Sequence, residues 1–306
     1  MQHSALIKGL CSLSILVLIS SACSDDKTRG AQGKKVEADE VSPLKTFTSP
    51  PGYDLNKPVV TKLPDKLNEI SGIVYYPKDN SLFAIVDEFG VLYKIFLNEA
   101  NDKPLIQQWR FAKTGDYEDL VLHDSSFYAI KSKGDVIQFK FVSSDSIQSK
   151  EYDIPQDSAG KSEFEILYYD EQSNKLILVC KDCASDKKET VSSYAFNIAT
   201  NGFEPGHLKI ETAPLADQLQ MEEIKFKPSA AAVHPITKEL YIISSVNKCL
   251  VIADTKGVVK KAYPLDPKIY KQPEGITFTP QGDMYISNEF ADEGLPNLLL
   301  FKYNKR

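Results

Sequence analysis

The chain has 306 residues, a formal net charge of −6 and an isoelectric point near 5.4. It has no basic patch with interleaved aromatic residues, so we expect no nucleic-acid partner. It also lacks the G-x-S-x-G, H-E-x-x-H and phosphate-binding motifs, so it matches none of the corresponding catalytic templates.

The first residues match the signal of a bacterial lipoprotein. Lys8 precedes an apolar run at residues 10–19, and small residues then lead to Ala22 and Cys23. We predict a signal peptide at residues 1–22 that is cleaved before Cys23, with a lipid attached to that cysteine. The alternative is an ordinary secretory signal, because Ser20 occupies a position where lipoprotein signals most often carry Leu.

Residues 23–52 are polar, lack periodicity and are predicted to form a flexible tether. The acidic pair that follows Cys23 and Ser24 resembles the export tag of surface lipoproteins in some Gram-negative bacteria. We therefore predict a lipid-anchored protein of a Gram-negative cell envelope. The outer membrane is the favoured location, and the sequence leaves open whether the domain faces the periplasm or the outside.

Residues 53–306 contain five copies of one pattern of two strands joined by a turn. The clearest copy covers residues 272–289, in which apolar residues alternate on both sides of a turn at residues 280–283. The other copies cover residues 69–88, 116–131, 163–181 and 227–245. A repeat of several strands every 40 to 50 residues, roughly, is typical of a β-propeller.

Two further strand-like segments, residues 58–62 and 297–303, lie outside the paired strands of these copies. We predict that they form parts of a further blade and close the ring. The predicted fold is therefore an all-β, six-bladed β-propeller formed by residues 53–306.

Aligning the copies places polar residues in two columns. The first column holds Ser71, Glu118, Glu165, Ser229 and Glu274, and the second holds Asp87, Lys131, Lys181, Ser245 and Asn288. The first column begins one strand and the second ends its antiparallel neighbour, so the two columns should meet at one edge. We expect them to line the central channel together with Glu69, Glu88 and Glu289.

Such clustered acids need a counter-charge, because two carboxylates about 5 Å apart repel by roughly 3 kcal/mol at an effective dielectric near 20. One hypothesis is ion pairing within a blade, between Lys131 and Glu118 and between Lys181 and Glu165. The other is a divalent cation held by Glu274, Asn288, Asp87 and Glu289. Oxygen ligands of this kind suit Ca²⁺ or Mg²⁺ better than Zn²⁺. The sequence leaves both hypotheses open.

The cysteines give a weaker signal. Cys180 and Cys183 form a C-x-x-C that has neither a βαβ context nor a second pair to complete a zinc site. A local disulfide or two unreactive thiols is the favoured interpretation over redox or metal chemistry. The states of these two residues and of Cys249 are left open.

Histidines and aromatic residues are interpreted as structural. His123 and His234 occupy the same place in their copies and are predicted to be turn residues. Strand aromatics such as Tyr75 and Phe127 are predicted to pack between blades rather than to stack on a ligand.

Several short segments together resemble the SdiA-regulated family of exported propellers. The segments are residues 69–73, 87–90, 163–165, 180–182, 227–230, 244–245, 272–276 and 287–289. They occur in the family's order over roughly residues 65–303. The resemblance implies a six-bladed propeller with a calcium ion on the channel face, but it implies no particular activity.

A more distant resemblance is to calcium-dependent lactonases and arylesterases, which share a TolB-like six-bladed architecture. These enzymes hold calcium with Glu, Asn and Asp from different blades, and Glu274, Asn288 and Asp87 are similar to that set. Lys131 and Lys181 stand where further ligands are expected, and this departure argues against hydrolysis.

Two functions follow from these expectations. The first is a membrane-anchored module whose propeller face binds an envelope protein or a small ligand. The second is a calcium-dependent hydrolase of the lactonase or phosphoester type that uses cation-bound water.

Overall fold

The computed structural model describes residues 47–97, 104–155, 162–183, 186, 189–290 and 294–304. The predicted signal peptide, Cys23 and most of the predicted tether lie outside these residues. Within the described part of the chain, no helix has the length and apolar character required to cross a membrane.

In the part of the chain that the structure describes, five antiparallel sheets of four strands each form the blades, which we number along the chain. From the inner to the outer strand, blade 1 consists of β2 Ile70–Tyr76, β3 Ser81–Val86, β4 Phe89–Phe96 and β5 Ile106–Thr114. Blade 2 consists of β6 Tyr117–His123, β7 Ser126–Lys131, β8 Val136–Ser143 and β9 Ser146–Tyr152. Blade 3 consists of β10 Ser162–Asp170, β11 Lys175–Cys183, β13 Ser193–Asn197 and β14 Gly202–Pro205.

Blade 4 consists of β16 Ala230–Val233, β17 Leu240–Ser244, β18 Cys249–Ala253 and β19 Val259–Pro264. Blade 5 consists of β20 Pro273–Phe278, β21 Met284–Asn288, β22 Asn297–Phe301 and β1 Val59–Lys62. A small two-stranded sheet is formed by β12 Thr190–Val191 and β15 Ile210–Glu211. The described helices are a 3-10 turn at Asp65–Leu67 and α1 at Ala213–Leu219. The all-β propeller prediction is therefore confirmed.

The ring closes through strands from both ends of the sequence. Each inner strand contacts the inner strands of its two neighbours, and β20 of blade 5 lies beside β2 of blade 1. Strand β1 pairs antiparallel with β22, in a register that joins Val59 to Leu300 and Lys62 to Asn297. The two segments assigned to a sixth blade thus complete the fifth, and six blades are not confirmed among the described residues.

Both faces of each blade are buried against neighbouring blades. Strand β3 is buried at all six positions, whereas the outer strand β9 is mostly exposed. Strands covered on both faces are expected to be apolar throughout rather than alternating. Each hydrophobic cluster combines two adjacent blades, as where Ile177 of blade 3 packs in one cluster with Ile242 of blade 4.

Aromatic side chains contribute to this packing. Tyr75 of blade 1 stacks on Tyr285 of blade 5 with ring centroids 6.4 Å apart, and Phe83 of blade 1 meets Phe127 of blade 2 edge-on at 4.8 Å. Such pairs add to the stabilisation from buried area. The interpretation of the strand aromatics as packing residues is confirmed for these positions.

The segment before β1 packs against blades 4 and 5. The Tyr53 hydroxyl donates to the Gly282 carbonyl at 2.5 Å and lies 2.8 Å from Nε2 of His234. His234 Nδ1 accepts from the backbone amides of Ile236 and Thr237, which confirms that His234 is a turn residue. Because Nδ1 is occupied as an acceptor, Nε2 carries the ring proton and donates a hydrogen bond to the Tyr53 hydroxyl oxygen.

The inner strands approach one another closely at two glycines. A Cβ atom on Gly72 would lie 2.4 Å from the Leu120 backbone nitrogen, and one on Gly275 would lie 2.5 Å from the Ser71 carbonyl oxygen. Both distances are shorter than van der Waals contact. Only glycine allows blade 1 to meet its two neighbours at these points.

The Gly72→Ala variant should therefore lose about 1–3 kcal/mol in its free energy of unfolding, because the opposing atoms are backbone and cannot rotate away. Urea denaturation followed by circular dichroism measures this difference. The matched control is Gly202→Ala, whose Cβ would meet nothing closer than Thr200 Oγ1 at 3.4 Å. The control should change stability by less than about 1 kcal/mol, and equal stability of the two variants would contradict the close approach.

Candidate cation site at the channel mouth

The two predicted columns meet at one end of the ring, which we call the mouth. Antiparallel pairing places the starts of the inner strands beside the ends of the second strands, as in the pairs Tyr117 with Lys131 and Pro273 with Asn288. In blade 1, the Asp87 amide donates to the Glu69 carbonyl at 3.1 Å. The sequence thus predicted correctly which strand ends lie together.

The predicted serines join the blades at this end. Ser71 of blade 1 donates its hydroxyl to the Tyr117 carbonyl of blade 2 at 2.9 Å. Ser229 of blade 4 donates to the Pro273 carbonyl of blade 5 at 2.8 Å and accepts from the Ser245 amide at 3.1 Å. These buried hydroxyls are engaged in backbone hydrogen bonds, so they fix the position of the inner strands.

The two predicted lysines behave differently. Lys181 Nζ lies 2.6 Å from Glu165 Oε1, as the ion-pair hypothesis expects for blade 3. Lys131 instead pairs with Glu151 of the outer strand β9 and lies over the ring of Tyr117, 5.9 Å from its centroid. The expected pairing of Lys131 with Glu118 is therefore wrong, because the ammonium group points along the blade and away from the channel.

No lysine forms an ion pair with Glu118 in the described part of the chain. Burial raises the pKa of Glu118 to about 9, the charges of Glu165 and Asp116 add to this effect, and Lys181 opposes it. Burial also raises the pKa of Glu165, against the opposing charge of Lys181. Lys181 therefore interacts electrostatically with three glutamates, Glu165, Glu274 and Glu118.

Blade 5 contributes two further carboxyl groups with raised pKa values. Burial raises the pKa of Glu274 to about 7, with a further contribution from Glu165 and opposition from Lys181. Burial raises the pKa of Glu289 to about 8, and the charges of Glu274, Asp87 and Glu69 act in the same direction. The predicted acidic ligands therefore lie within each other's electrostatic range.

Asp87 completes this group from blade 1. Burial raises its pKa to about 6, and a side-chain hydrogen bond with Glu69, together with the charges of Glu69 and Asp116, contributes further. Its Oδ1 atom is buried without a hydrogen-bond partner in the described part of the chain. A buried oxygen of this kind is unfavourable unless something else binds it.

Asn288 is fully buried, and its amide group has a fixed orientation. Nδ2 donates to the Ile269 carbonyl at 3.0 Å and to Asn297 Oδ1 at 3.1 Å, and Asn297 Nδ2 in turn donates to the Leu295 carbonyl at 3.2 Å. Oδ1 of Asn288 has no partner among the described residues. The hydrogen bonds therefore hold one free, buried oxygen in place.

The carboxylates of Asp87, Glu274 and Glu289 do not all lie within 4.8 Å of one another. Among the described residues, two other groups of three metal-ligating side chains meet that distance: Cys180, Cys183 and Asp186, and Asp135, Glu151 and Asp153. The structure therefore shows the predicted acids as electrostatic neighbours, and rotation of their side chains is needed to bring them onto one ion.

The cysteine group is a disulfide rather than a metal site. Cys180 and Cys183 are bonded to each other, which confirms the local-disulfide interpretation. Cys249 is a buried free thiol. Between the two bonded cysteines, Lys181 turns toward Glu165 and Asp182 binds Lys225 at 2.7 Å.

Several residues at the mouth were missed in the sequence analysis. Asp116 acts on Glu118 and Asp87, and Gln272 donates a hydrogen bond to Glu289. The sequence does contain a pattern that indicates them. The position two residues before each first-column residue is polar in every copy: Glu69, Asp116, Glu163, Lys227 and Gln272. Side chains two residues apart on a strand share a face, so this column also belongs to the mouth.

Asp119 was also missed, and its role is structural. It is buried and accepts hydrogen bonds from the backbone amides of Leu120 at 2.7 Å and of Leu167 in blade 3 at 2.8 Å. It thus joins blades 2 and 3 as Ser71 joins blades 1 and 2. Predicted Glu88, by contrast, is exposed at the outer edge of the mouth.

Solved structures that are similar to this chain include those of three different proteins. Glutaminyl cyclase from Myxococcus xanthus is 12% identical, with 81% of this chain and 96% of that chain covered and a TM-score of 0.55. Aldose sugar dehydrogenase from Streptomyces coelicolor, in its PQQ-bound form, is 10% identical, with 84% and 100% covered and a TM-score of 0.48. Regucalcin from Agrobacterium tumefaciens str. C58, described as a calcium-binding protein, is 13% identical, with 84% and 96% covered and a TM-score of 0.45.

At these identities the comparison with glutaminyl cyclase supports the propeller fold alone. A comparison with curated protein sequences finds no match. The model of the SdiA-regulated family, in contrast, matches residues 50–299, which is most of the chain, and the protein therefore belongs to the SdiA-regulated family.

Proposed function

We propose that this protein is a cation-dependent binding module of the cell envelope, anchored to the outer membrane by a lipid on Cys23. In this proposal the propeller is a rigid platform that presents its mouth to an envelope protein or a small ligand. The acids at the mouth hold a divalent cation that shapes the binding surface. Hydrogen bonds between neighbouring inner strands supply the rigidity.

The observation that carries the proposal is the excess of buried acid at the mouth. Glu118, Glu274, Glu289 and Asp87 all have raised pKa values, with burial as the largest cause of each. Near them, Lys181 and Lys248 supply opposing positive charge. A bound divalent cation would offset the repulsion that otherwise requires protonation of these groups.

The residues present fit a hard cation. Asp87, Glu274 and Glu289 offer carboxylate oxygens, and Asn288 offers an amide oxygen that its hydrogen bonds leave free. Oxygen-only donors suit Ca²⁺, with Mg²⁺ as the second choice, and suit Zn²⁺ poorly. When bound, the ion would neutralise the carboxylates, while the network through Asn297 positions the Asn288 oxygen.

Calcium should stabilise the protein against thermal unfolding, because an ion that binds only the folded state raises its stability by mass action. At 100 times the dissociation constant the expected gain is about 2.7 kcal/mol. Glu274→Gln should weaken the apparent calcium affinity by roughly tenfold or more, since one buried carboxylate charge is lost. The measurement is metal content of the purified protein, combined with a calcium titration followed by differential scanning calorimetry.

The matched control for this experiment is Glu171→Gln, which removes an exposed carboxylate paired with Lys238 at the opposite end of blade 3. It should leave the calcium response unchanged. A purified protein without metal, combined with no shift at millimolar calcium, would overturn the cation site. The alternative function, a calcium-dependent hydrolase, would be supported if the protein hydrolysed esters or lactones and Glu274→Gln lost both this activity and calcium binding.

In metal-free buffer the free energy of unfolding should fall as the pH rises from about 5 toward 9. Burial raises the pKa of the Glu118 carboxyl group from 4.5 to about 9 in the folded state. In this pH window the folded protein therefore keeps a proton that the unfolded chain has released. The slope is proportional to the number of protons released on unfolding, and Glu118→Gln should reduce that number by up to about one. Urea denaturation at several pH values in the presence of a chelator measures the slope, and stability that rises over this window would contradict the buried-acid argument.

Anchoring is tested separately through Cys23. The Cys23→Ser variant cannot be acylated on sulfur, so it should move from the membrane fraction to the soluble fraction or retain an uncleaved signal. Metabolic labelling with a fatty-acid analogue, followed by fractionation, measures both outcomes. A variant that remains in the membrane fraction with normal processing would contradict the lipid anchor.

A further inference from the structure

Two exposed phenylalanines flank Glu69 at the edge of the mouth. The Phe290 amide donates to the Asn68 carbonyl at 2.6 Å, and the Asp87 amide donates to the Glu69 carbonyl at 3.1 Å. Phe89 begins strand β4 two residues after Asp87, so both phenylalanines lie on or next to segments that hydrogen-bond to residues 68–69. Phe89 is 43% exposed and Phe290 is 45% exposed.

Acidic residues lie on the same segments as these phenylalanines and on the adjoining start of blade 2. Glu69, Glu88 and Asp116 are exposed, and the Gly115 amide donates to the Glu88 carbonyl at 3.2 Å, which places Asp116 beside blade 1. The described structure contains no ion pair to any of these three carboxylates. We call Glu69, Glu88, Phe89, Asp116 and Phe290 the Phe–Glu patch.

Three lysines of blades 3 and 4 near the mouth are already engaged in ion pairs. Lys181 of blade 3 pairs with Glu165 at 2.6 Å, and Lys225 and Lys227 both pair with Asp182, at 2.7 and 3.0 Å. The Phe–Glu patch therefore combines exposed apolar surface with uncompensated negative charge. Single exposed apolar residues are ordinary on protein surfaces, but an apolar patch bordered by charge of one sign marks an interaction site.

We infer that the Phe–Glu patch is the docking surface for a protein segment that presents Lys or Arg next to an apolar side chain. The aliphatic stems of Lys and Arg pack on phenylalanine rings, and their cationic ends pair with carboxylates. Exposed aromatic side chains are frequent binding hot spots, and the neighbouring acids provide charge complementarity. A membrane of anionic lipids would be repelled by the same carboxylates.

This inference deepens the proposed function, because it rests on the protein being a binding module and names the class of partner. The docking surface and the candidate cation site are also adjacent in sequence. Phe89 and Phe290 follow the candidate ligands Asp87 and Glu289 by two residues and one residue. An ion held by these acids would fix the backbone segments that carry the two phenylalanines.

The test is selection of binders from a displayed library of random 12-residue peptides on the purified protein in the presence of calcium. Enriched peptides should contain Lys or Arg next to an aromatic or aliphatic residue. The combined variant Phe89→Ala with Phe290→Ala should weaken the selected peptides by roughly tenfold or more. Glu88→Gln should weaken them less and reduce the dependence of binding on salt.

The control variants are Val142→Ala and Val258→Ala, whose valines are 56% and 63% exposed and lie at the end of the ring opposite the mouth. They should leave peptide binding unchanged. No enrichment, enrichment of peptides without basic residues, or binding that survives loss of both phenylalanines would each overturn the inference. Binding of phosphatidylserine vesicles that depends on the two phenylalanines would overturn it in favour of membrane docking.

Calcium titration of the same variants separates this inference from the proposed cation site. Loss of peptide binding in the phenylalanine variant, with its calcium stabilisation intact, supports the docking surface. If the protein takes up no calcium but still binds peptides through the Phe–Glu patch, the docking surface is supported and the cation site is overturned. Calcium binding without any selected peptide would leave the cation site standing and overturn the docking surface.

Discussion

The close approach of the inner strands is the constraint on which the chemistry of the mouth depends. At Gly72 and Gly275 the neighbouring backbone leaves no room for a Cβ atom, so blade 1 meets both of its neighbours directly. The polar side chains that begin these strands are consequently brought together in a space with little water. Glu118 and Glu274 keep a proton more readily there than in water, because burial and mutual repulsion both disfavour the charged forms.

Much of this arrangement follows from the sequence because strands impose simple rules. Apolar residues at every second position identified the blades, and antiparallel pairing determined that Glu274 and Asn288 would lie at the same end. The number of blades did not follow in the same way. The sequence placed Val59–Lys62 and Asn297–Phe301 together in a blade that closes the ring. That they complete blade 5 rather than form a separate blade became clear only from the structure.

Side-chain directions were also beyond the sequence. Lys131 and Lys181 occupy equivalent column positions, yet Lys181 binds the inner glutamate of its blade and Lys131 binds Glu151 on the outermost strand. The difference comes from an outer strand that has no counterpart in the aligned columns. The free oxygen of Asn288 depends likewise on Asn297 and Ile269, which lie outside the repeated pattern.

The use of β1 to complete blade 5 also determines the order in which the ring can form. Blades 1 to 4 each draw their four strands from one continuous stretch of chain, whereas blade 5 needs strands from both ends. During synthesis the residues of β1 emerge first, but their partner β22 emerges last. Such a long separation between paired strands makes closure entropically costly and slow. A ribosome-bound chain that stops before residue 297 can therefore complete four blades but leaves β1 unpaired and the circle open.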